Sequence, residues 1–353
     1  MVKRMTACTI SMLDEWKNQV VAAEDHCHSV EMKREFRELA ADIIAQTAFG
    51  SSYAQGLEVF EAQEELQKYC AAAHTDIFIP GSQYLPTPLN LQIWKLDKKV
   101  RTSLKCIIKS RLNSKATGSS CEADDLLGLM LEASESDGKP KLNVNEIIEE
   151  CKTFFFAGHE ISSNLLTWTV FLISLYPAWQ EKLRRDIEGM WDGVPIVSRE
   201  ISCLVLCCGR VNMVLLEALR LYSPAVELFR QATKDMKLGD VMIPKGTCIS
   251  ILLAKIHIRK EYWGEDANKF NPMRFINGIS KAAKHPNALL AFSLGPRTCI
   301  GQDFAMLEAK SVIALILQRF SLCLSPEYKH APVEIITLQP QHGLPIIVKP
   351  LHL

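Results

Sequence analysis

A cysteine confined in a tight, glycine-rich loop beside a cation is the residue of this chain best placed to do chemistry. Phe292-Ser293-Leu294-Gly295-Pro296-Arg297-Thr298-Cys299-Ile300-Gly301 holds Cys299 between two glycines and a proline, with Arg297 two residues before it. Backbone N–H groups aimed at the sulfur, the guanidinium and the start of a helix predicted over residues 302–320 all favour thiolate over thiol. A second constellation, His159-Glu160, opens like a zinc-protease helix. The second His of that motif would fall at Ser163, so metalloprotease chemistry is excluded. A third pattern, Glu-x-x-Arg, occurs as Glu31/Arg34, Glu181/Arg184, Glu217/Arg220 and Glu227/Arg230. On a surface such a pair contributes only a few tenths of a kcal/mol. Glu217/Arg220 differs because it lies in the apolar run from Val211 to Tyr222, where charges must be paired if they are buried.

The decapeptide resembles the haem-binding signature of the cytochrome P450 family, F-x-x-G-x-R-x-C-x-G, at all five fixed positions. Chance agreement has a probability of roughly 10⁻⁴ in a chain of this length. The resemblance implies haem b as cofactor, with Cys299 as axial thiolate, Phe292 shielding the sulfur and Arg297 binding a propionate. Gly295 and Gly301 complete the cofactor-binding loop, and Arg230 and His257 fall where the family places residues at the haem edge. Phe270-Asn271-Pro272-Met273-Arg274-Phe275 resembles the family's P-x-R-F element, whose Arg completes a buried network. Glu217, Arg220 and Arg274 are therefore expected to be structural residues that hold the thiolate loop.

Phe154-Phe155-Phe156-Ala157-Gly158-His159-Glu160-Ile161-Ser162-Ser163 resembles the family's A-G-x-E-T oxygen-activating motif. There Gly158 would let oxygen approach, and the acid Glu160 with a following Thr would relay protons. Ile161 stands where the Thr is expected, and a hydrocarbon neither donates nor accepts a hydrogen bond. Ser162 is adjacent, but one residue is about 100° of helical rotation, so it should not face the same oxygen. Of the candidate catalytic set Gly158, Glu160, Ile161 and Ser162, one member has thus lost its chemistry. Slow or poorly coupled oxygen activation is the expected result.

The elements that must position these groups are mostly helical. Apolar residues recur at helical spacing from Phe36 to Thr47, closed by Gly50, and in runs over residues 58–73, 91–112 and 126–131. Residues 145–176 form the longest predicted helix, apolar nearly all round and so expected through the middle of the protein; Pro177 ends it. Prolines at 80, 86 and 88 forbid regular structure over residues 76–90, and residues 113–124 and 134–141 read as exposed loops. Residues 237–251 alternate between turns and suit short strands, and residues 334–349 read as a hairpin turning at Pro340–Gly343. The expected fold class is mainly α with a minor β-sheet region, one cytochrome P450-like domain over residues 1–353. Relative to the family, the anchor helix, proline-rich hinge, first strands and W-x-x-x-R helix are not found. Trp16 is followed by Val20, not Arg. The resemblance is traced from about Leu39, and the chain is expected to be a shortened or aberrantly spliced product.

Composition narrows the partners. The 353 residues carry 40 basic and 40 acidic side chains, a balance that gives no field to steer the chain onto nucleic acid. Twelve cysteines form no C-x-x-C pair, and the group Cys203, Cys207 and Cys208 lacks the spacing of a zinc site. No stretch reaches the ~18 apolar residues that span a bilayer, so a soluble chain is expected. Family members sit on the cytosolic face of the endoplasmic reticulum through an anchor. The resemblance, on the plant side of the family, implies a monooxygenase that hydroxylates a lipophilic small molecule. Dioxygen is the co-substrate, and electrons come from an NADPH-dependent flavoprotein reductase. Apolar substrate contacts are expected near Ala157, Val226 and the Gly343-Leu344 turn. Two rivals stay open: a haem-thiolate isomerase or dehydratase, for which Ile161 is harmless, and a non-functional remnant that binds haem weakly.

Overall fold

The computed structural model describes residues 1–23, 27–50, 53–75, 79–116, 125–135, 142–189 and 209–351. The cysteines at 203, 207 and 208 lie outside the described residues, as does most of the two predicted loops. Nine helices of more than one turn are described: α1 (Val2–Ala22), α2 (Met32–Ala48), α3 (Tyr53–Thr75), α4 (Pro88–Ala116), α5 (Leu126–Glu135), α6 (Val144–Leu175), α7 (Pro177–Gly189), α8 (Gly209–Leu221) and α9 (Gln302–Arg319).

The central helix α6 begins at a capping box. The Asn143 side chain accepts from the backbone of Asn145 and Glu146, and Glu146 reaches back to the N–H of Asn143 at 2.7 Å. From His159 onward its burial is nearly continuous, interrupted at Ile161, and residues 162–174 are buried without a break. Pro177 cannot extend the ladder, and α7 leaves at 109°. Among the described residues no single helix is long and apolar enough to cross a membrane. Two apolar clusters flank α6. One joins α1, α8 and α9 through Trp16, Trp168, Leu215 and Ile313; the other joins α2 to α5 through Ile44, Phe60, Val100 and Phe155. Phe155 stacks on Phe49 at 4.0 Å and meets Phe60 edge-on at 5.0 Å.

The strands are few and all antiparallel. β1 (His28–Glu31), β9 (Pro345–Pro350) and β6 (Phe320–Leu324) form one sheet with β9 in the middle, pairing Val30 with Ile346 and Leu322 with Val348. β2 (Glu227–Gln231) pairs with β5 (Cys248–Leu252), β3 (Met236–Leu238) with β4 (Val241–Ile243), and β7 (Pro332–Ile335) with β8 (Thr337–Pro340). Two expectations are corrected here. The first half of the chain is not purely helical, since β1 lies within it. The C-terminal hairpin turns at Ile336, which takes φ 70°, and not at Pro340–Gly343. The latter turn instead hands the chain to β9, which pairs with β1 and β6.

Candidate active site

The thiol loop is built from its own backbone. Cys299 N–H donates to the Phe292 carbonyl at 2.8 Å, which closes residues 292–299 into a ring. Inside it, Thr298 donates to the Gly295 carbonyl from both its N–H (3.0 Å) and its hydroxyl (2.8 Å). Gly295 takes φ 75°, a conformation costly for any residue with a Cβ, and Ser293 takes φ 61°. Gly301 then caps α9, so Cys299 lies three residues before Gln302, where the helix begins. The predicted position at a helix N-terminus holds.

Glu217, Arg220 and Arg274, the residues expected to hold the loop, meet in a buried acid–guanidinium cluster. Glu217 and Arg220 are fully buried and joined by two hydrogen bonds of 2.7 Å. Arg220 also donates to the carbonyls of His257 (2.8 Å) and Ala267 (2.6 Å) and lies 5.0 Å over the Trp263 ring. Arg274 approaches Glu217 at 3.5 Å and binds Asp266 at 2.6 Å. By contrast Glu181/Arg184 is a partly exposed pair, and Glu31 caps α2 through the N–H groups of Lys33 and Arg34. The link to the loop is His257, whose carbonyl accepts from Arg220 and whose Nε2 accepts from Leu290 N–H at 2.9 Å. His257 is 0% exposed. A residue at the edge of a haem would be open with protein atoms alone, so the edge position read for it is corrected: it is a latch beneath the loop.

The face the loop presents fits the group that the resemblance implies. Residues 294–300 are all exposed, including two apolar side chains, Leu294 and Ile300, the latter 89% open. A flat apolar macrocycle over an exposed thiol suits such a surface. Phe292 is half-buried, and Arg297 is exposed and forms no ion pair among the described residues. Arg230, on β2, donates to Ser293 Oγ of the loop at 2.9 Å, which brings a second cation to the rim. Both guanidiniums are placed to meet carboxylates.

On α6 the four candidate residues turn to different neighbours. Glu160 is buried, and its Oε1 accepts from Thr337 Oγ1 at 2.7 Å and Asn164 Nδ2 at 3.1 Å. Ile161 is half-buried. A side chain at Gly158 would strike Ile44 of α2 at 2.7 Å, so packing accounts for a glycine that the sequence reading assigned to oxygen access. Ser162 is buried beside the Glu308 carboxyl of α9, away from Glu160's partners. The expected angular separation of Ser162 from Ile161 is what the helix shows.

A cavity of about 560 Å³ is lined by Lys33, Arg37, Glu64, His159 and His342 among others. Such walls do not suit a lipophilic substrate. The Gly343-Leu344 turn, expected among apolar substrate contacts, belongs to this charged region. Leu344 N–H donates to Glu31 Oε1 at 2.6 Å, and the Leu344 side chain is fully buried.

Sequence reasoning missed Glu308, Thr337 and the latch role of His257. Burial holds His159 and His257 down to about 4 and pushes Glu308 up to about 8; neither Glu308 oxygen makes a well-formed hydrogen bond. The unfolded chain protonates both histidines near pH 6.5, whereas the native protein does so only near 4. Lowering pH through that window therefore destabilises the fold. Glu308 acts oppositely: its native proton stabilises below pH 4.5, and that contribution is lost as pH rises toward 8. Below pH 6.5 the buried histidines outweigh Glu308, so stability rises with pH there, and above it the loss of the native Glu308 proton makes stability fall. Stability is expected to peak near pH 6.5, and Glu308→Gln to flatten the alkaline limb. Urea unfolding from pH 4.5 to 8.5 measures both limbs.

The comparisons agree with this geometry. The family model "Cytochrome P450" matches residues 1–346, so the likeness starts well before Leu39. Cytochrome P450 709B1 of Arabidopsis thaliana is 52% identical over 98% of this chain and 66% of its own length. Cytokinin hydroxylase of the same plant is 44% identical over 99% of this chain and 66% of its own length. The chain thus spans about two thirds of the length of these relatives. Among solved structures, retinoic acid bound cyanobacterial CYP120A1 superposes with a TM-score of 0.82 at 24% identity, covering 98% of this chain and 74% of that one. A mainly helical fold with small antiparallel sheets, a cysteine loop at a helix start, a buried Glu–Arg–Arg cluster and these relatives lead to one assignment: the chain belongs to the cytochrome P450 family, on its plant side.

Proposed function

We propose that the chain is a haem-thiolate monooxygenase that hydroxylates a lipophilic small molecule with dioxygen and two electrons from a separate flavoprotein reductase. The observation that carries this reading is the ring-closed loop presenting Cys299 on an open apolar face at the start of α9. Cys299 would hold the iron of haem b, Gly295 and Gly301 would shape the loop around it, and Arg297 with Arg230 would bind the propionates. The haem, when bound, supplies the redox chemistry of oxygen insertion. The residues of this chain supply the rest. Phe292 shields the sulfur, the latch through His257 steadies the loop, and Thr337 and Asn164 donate to the Glu160 carboxylate and so hold this proton acceptor in place. Two relatives carry hydroxylase or synthase names, Cytokinin hydroxylase and Secologanin synthase 1 of Catharanthus roseus, which supports oxidation of a small plant metabolite.

The test is the optical spectrum of the haem-loaded, reduced, carbon monoxide-bound protein, which reports thiolate ligation directly. A spectrum without a thiolate signature would sink the reading. Ile161 sets the expected efficiency. A positioned acid–base group typically contributes ~10²–10⁴-fold, and no hydroxyl stands at 161. Ile161→Thr is expected to raise product formed per electron consumed and lower peroxide release, measured side by side with the reductase. Ile161 also favours a second reading, a haem-thiolate isomerase or dehydratase, which turns over without reductase or dioxygen.

A further inference from the structure

An aromatic cluster at the far end of α6 takes no part in the site described above. Trp168 is fully buried and donates from Nε1 to the Leu338 carbonyl at 2.9 Å. Tyr222, just past α8, stacks on it with ring centroids 4.3 Å apart and planes 12° apart. His330 then stands between two phenols: Tyr328 Oη is 2.9 Å from its Nδ1 and Tyr222 Oη 3.4 Å from its Nε2. Phe171 stacks on the imidazole at 5.1 Å. Exposure rises outward, from Trp168 through half-buried Tyr222 and Tyr328 to exposed His330.

Packing alone does not require both nitrogens of one imidazole to meet phenol oxygens. A neutral imidazole has one acceptor and one donor nitrogen. With Nδ1 as acceptor, Tyr328 donates to it within the 2.6–3.2 Å at which a proton can be transferred, while Nε2–H points to Tyr222. The inner end lies close to the candidate site. Glu160 is bound by Thr337 and Trp168 by the next residue of the same strand, Leu338. Eight residues of helix, about 12 Å, separate them.

We propose that Tyr222, Tyr328 and His330 form a proton-coupled one-electron oxidation site, and that Trp168 connects it to the interior so that a stray oxidising equivalent leaves by this route. The step balances as follows: Tyr328 gives one electron to the oxidant and its O–H proton to His330 Nδ1, leaving a neutral phenoxyl radical and an imidazolium. The oxidant is reduced by one electron; a thiol or ascorbate in solution later restores the phenol with a hydrogen atom, and the exposed imidazolium of His330 returns its proton to solvent. The internal oxidant is a haem centre oxidised in unproductive turnover, so that leg rests on the function proposed above. Burial raises both phenols to about 12 and lowers His330, so the tyrosines arrive protonated and the imidazole arrives neutral.

The experiment uses the full chain without haem, photo-oxidised tris-bipyridyl ruthenium and a nitroso spin trap, with adducts mapped by peptide mass spectrometry. Tyr328 is expected to be trapped ahead of Tyr84, although Tyr84 is 77% exposed. His330→Gln keeps a hydrogen-bonding side chain but no base, and His330→Leu keeps neither. Both are expected to lower the Tyr328 adduct by about 100-fold, the small end of a positioned base's effect. Adducts that follow exposure, with Tyr84 first and no dependence on residue 330, overturn the proposal. A second arm gives peroxide to the haem-loaded chain. There Trp168→Phe is expected to shift adducts from Tyr328 to residues inside the protein. Unchanged adducts with haem bound overturn the inward connection. A chain that takes up no haem defeats the proposed function instead, and the first arm still decides the tyrosine–histidine site.

Discussion

Arg220→Leu is expected to cost about 3–5 kcal/mol of stability, the penalty for leaving a buried charge without its partner. Glu217 would keep only the Asn271 N–H at 2.9 Å and the more distant Arg274, and the carbonyls of His257, Ala267 and Lys269 would lose their donor. The loss should spread beyond the pair, because the same guanidinium fixes His257 and so Leu290 at the mouth of the thiol loop. Urea unfolding gives the free energy, and haem uptake reports on the loop. The double variant Glu217→Leu/Arg220→Leu is expected to recover part of the stability but not haem uptake, because hydrophobic packing replaces a charge pair without replacing its bonds to the loop. Glu181→Ala, in a pair of the same spacing on the surface, should change stability by no more than about 0.5 kcal/mol. Equal effects at the two sites would show that the burial argument is wrong.

Cys299→Ser separates ligation from folding. Cys299 is exposed and its side chain supports no core contact, so the unfolding free energy should move by less than about 0.5 kcal/mol. Haem affinity should fall by far more than the ~10–100-fold typical of losing an outer-shell partner of a metal. The thiolate signature in the carbon monoxide spectrum should vanish, and turnover with it. A variant that retained that spectrum would place the axial ligand elsewhere. Together the two substitutions divide the site: one removes the grip on iron and spares the fold, the other spares the sulfur and removes its support.

The parts of this architecture that could be read from the sequence are those where local chemistry conflicts with its surroundings. Glu217 and Arg220 were legible because charges inside Val211–Tyr222 demand each other, and Cys299 because its glycines and proline only make sense as a tight loop. The limits of α6 follow from Asn143 and Pro177. Glu308 carries the same signal, an acid within an apolar helix, but no basic residue three or four positions away draws attention to it. β1 is four residues without alternation, and its partner β9 is more than 300 residues distant. Glu160's tie to Thr337 spans 177 positions, which no periodicity encodes. The hairpin was misplaced because Pro340–Gly343 carries every turn residue, whereas the turn that pairs β7 with β8 is made by Ile336, a branched residue at φ 70°.

The middle strand of the three-stranded sheet has a consequence for how the molecule is made. β9 lies between β1 and β6, and Leu344 N–H reaches a carboxylate 313 positions earlier in the chain. At ribosomal rates of ~5–20 residues per second, His28–Glu31 waits on the order of tens of seconds for the strand that covers it. During that wait α1 and α2 are tethered to an unpaired edge, open to pairing with neighbouring nascent chains. Closure of this sheet is therefore a late event, and the vectorial order of synthesis makes the interval before it the period of greatest exposure to aggregation and the natural point for a chaperone to act.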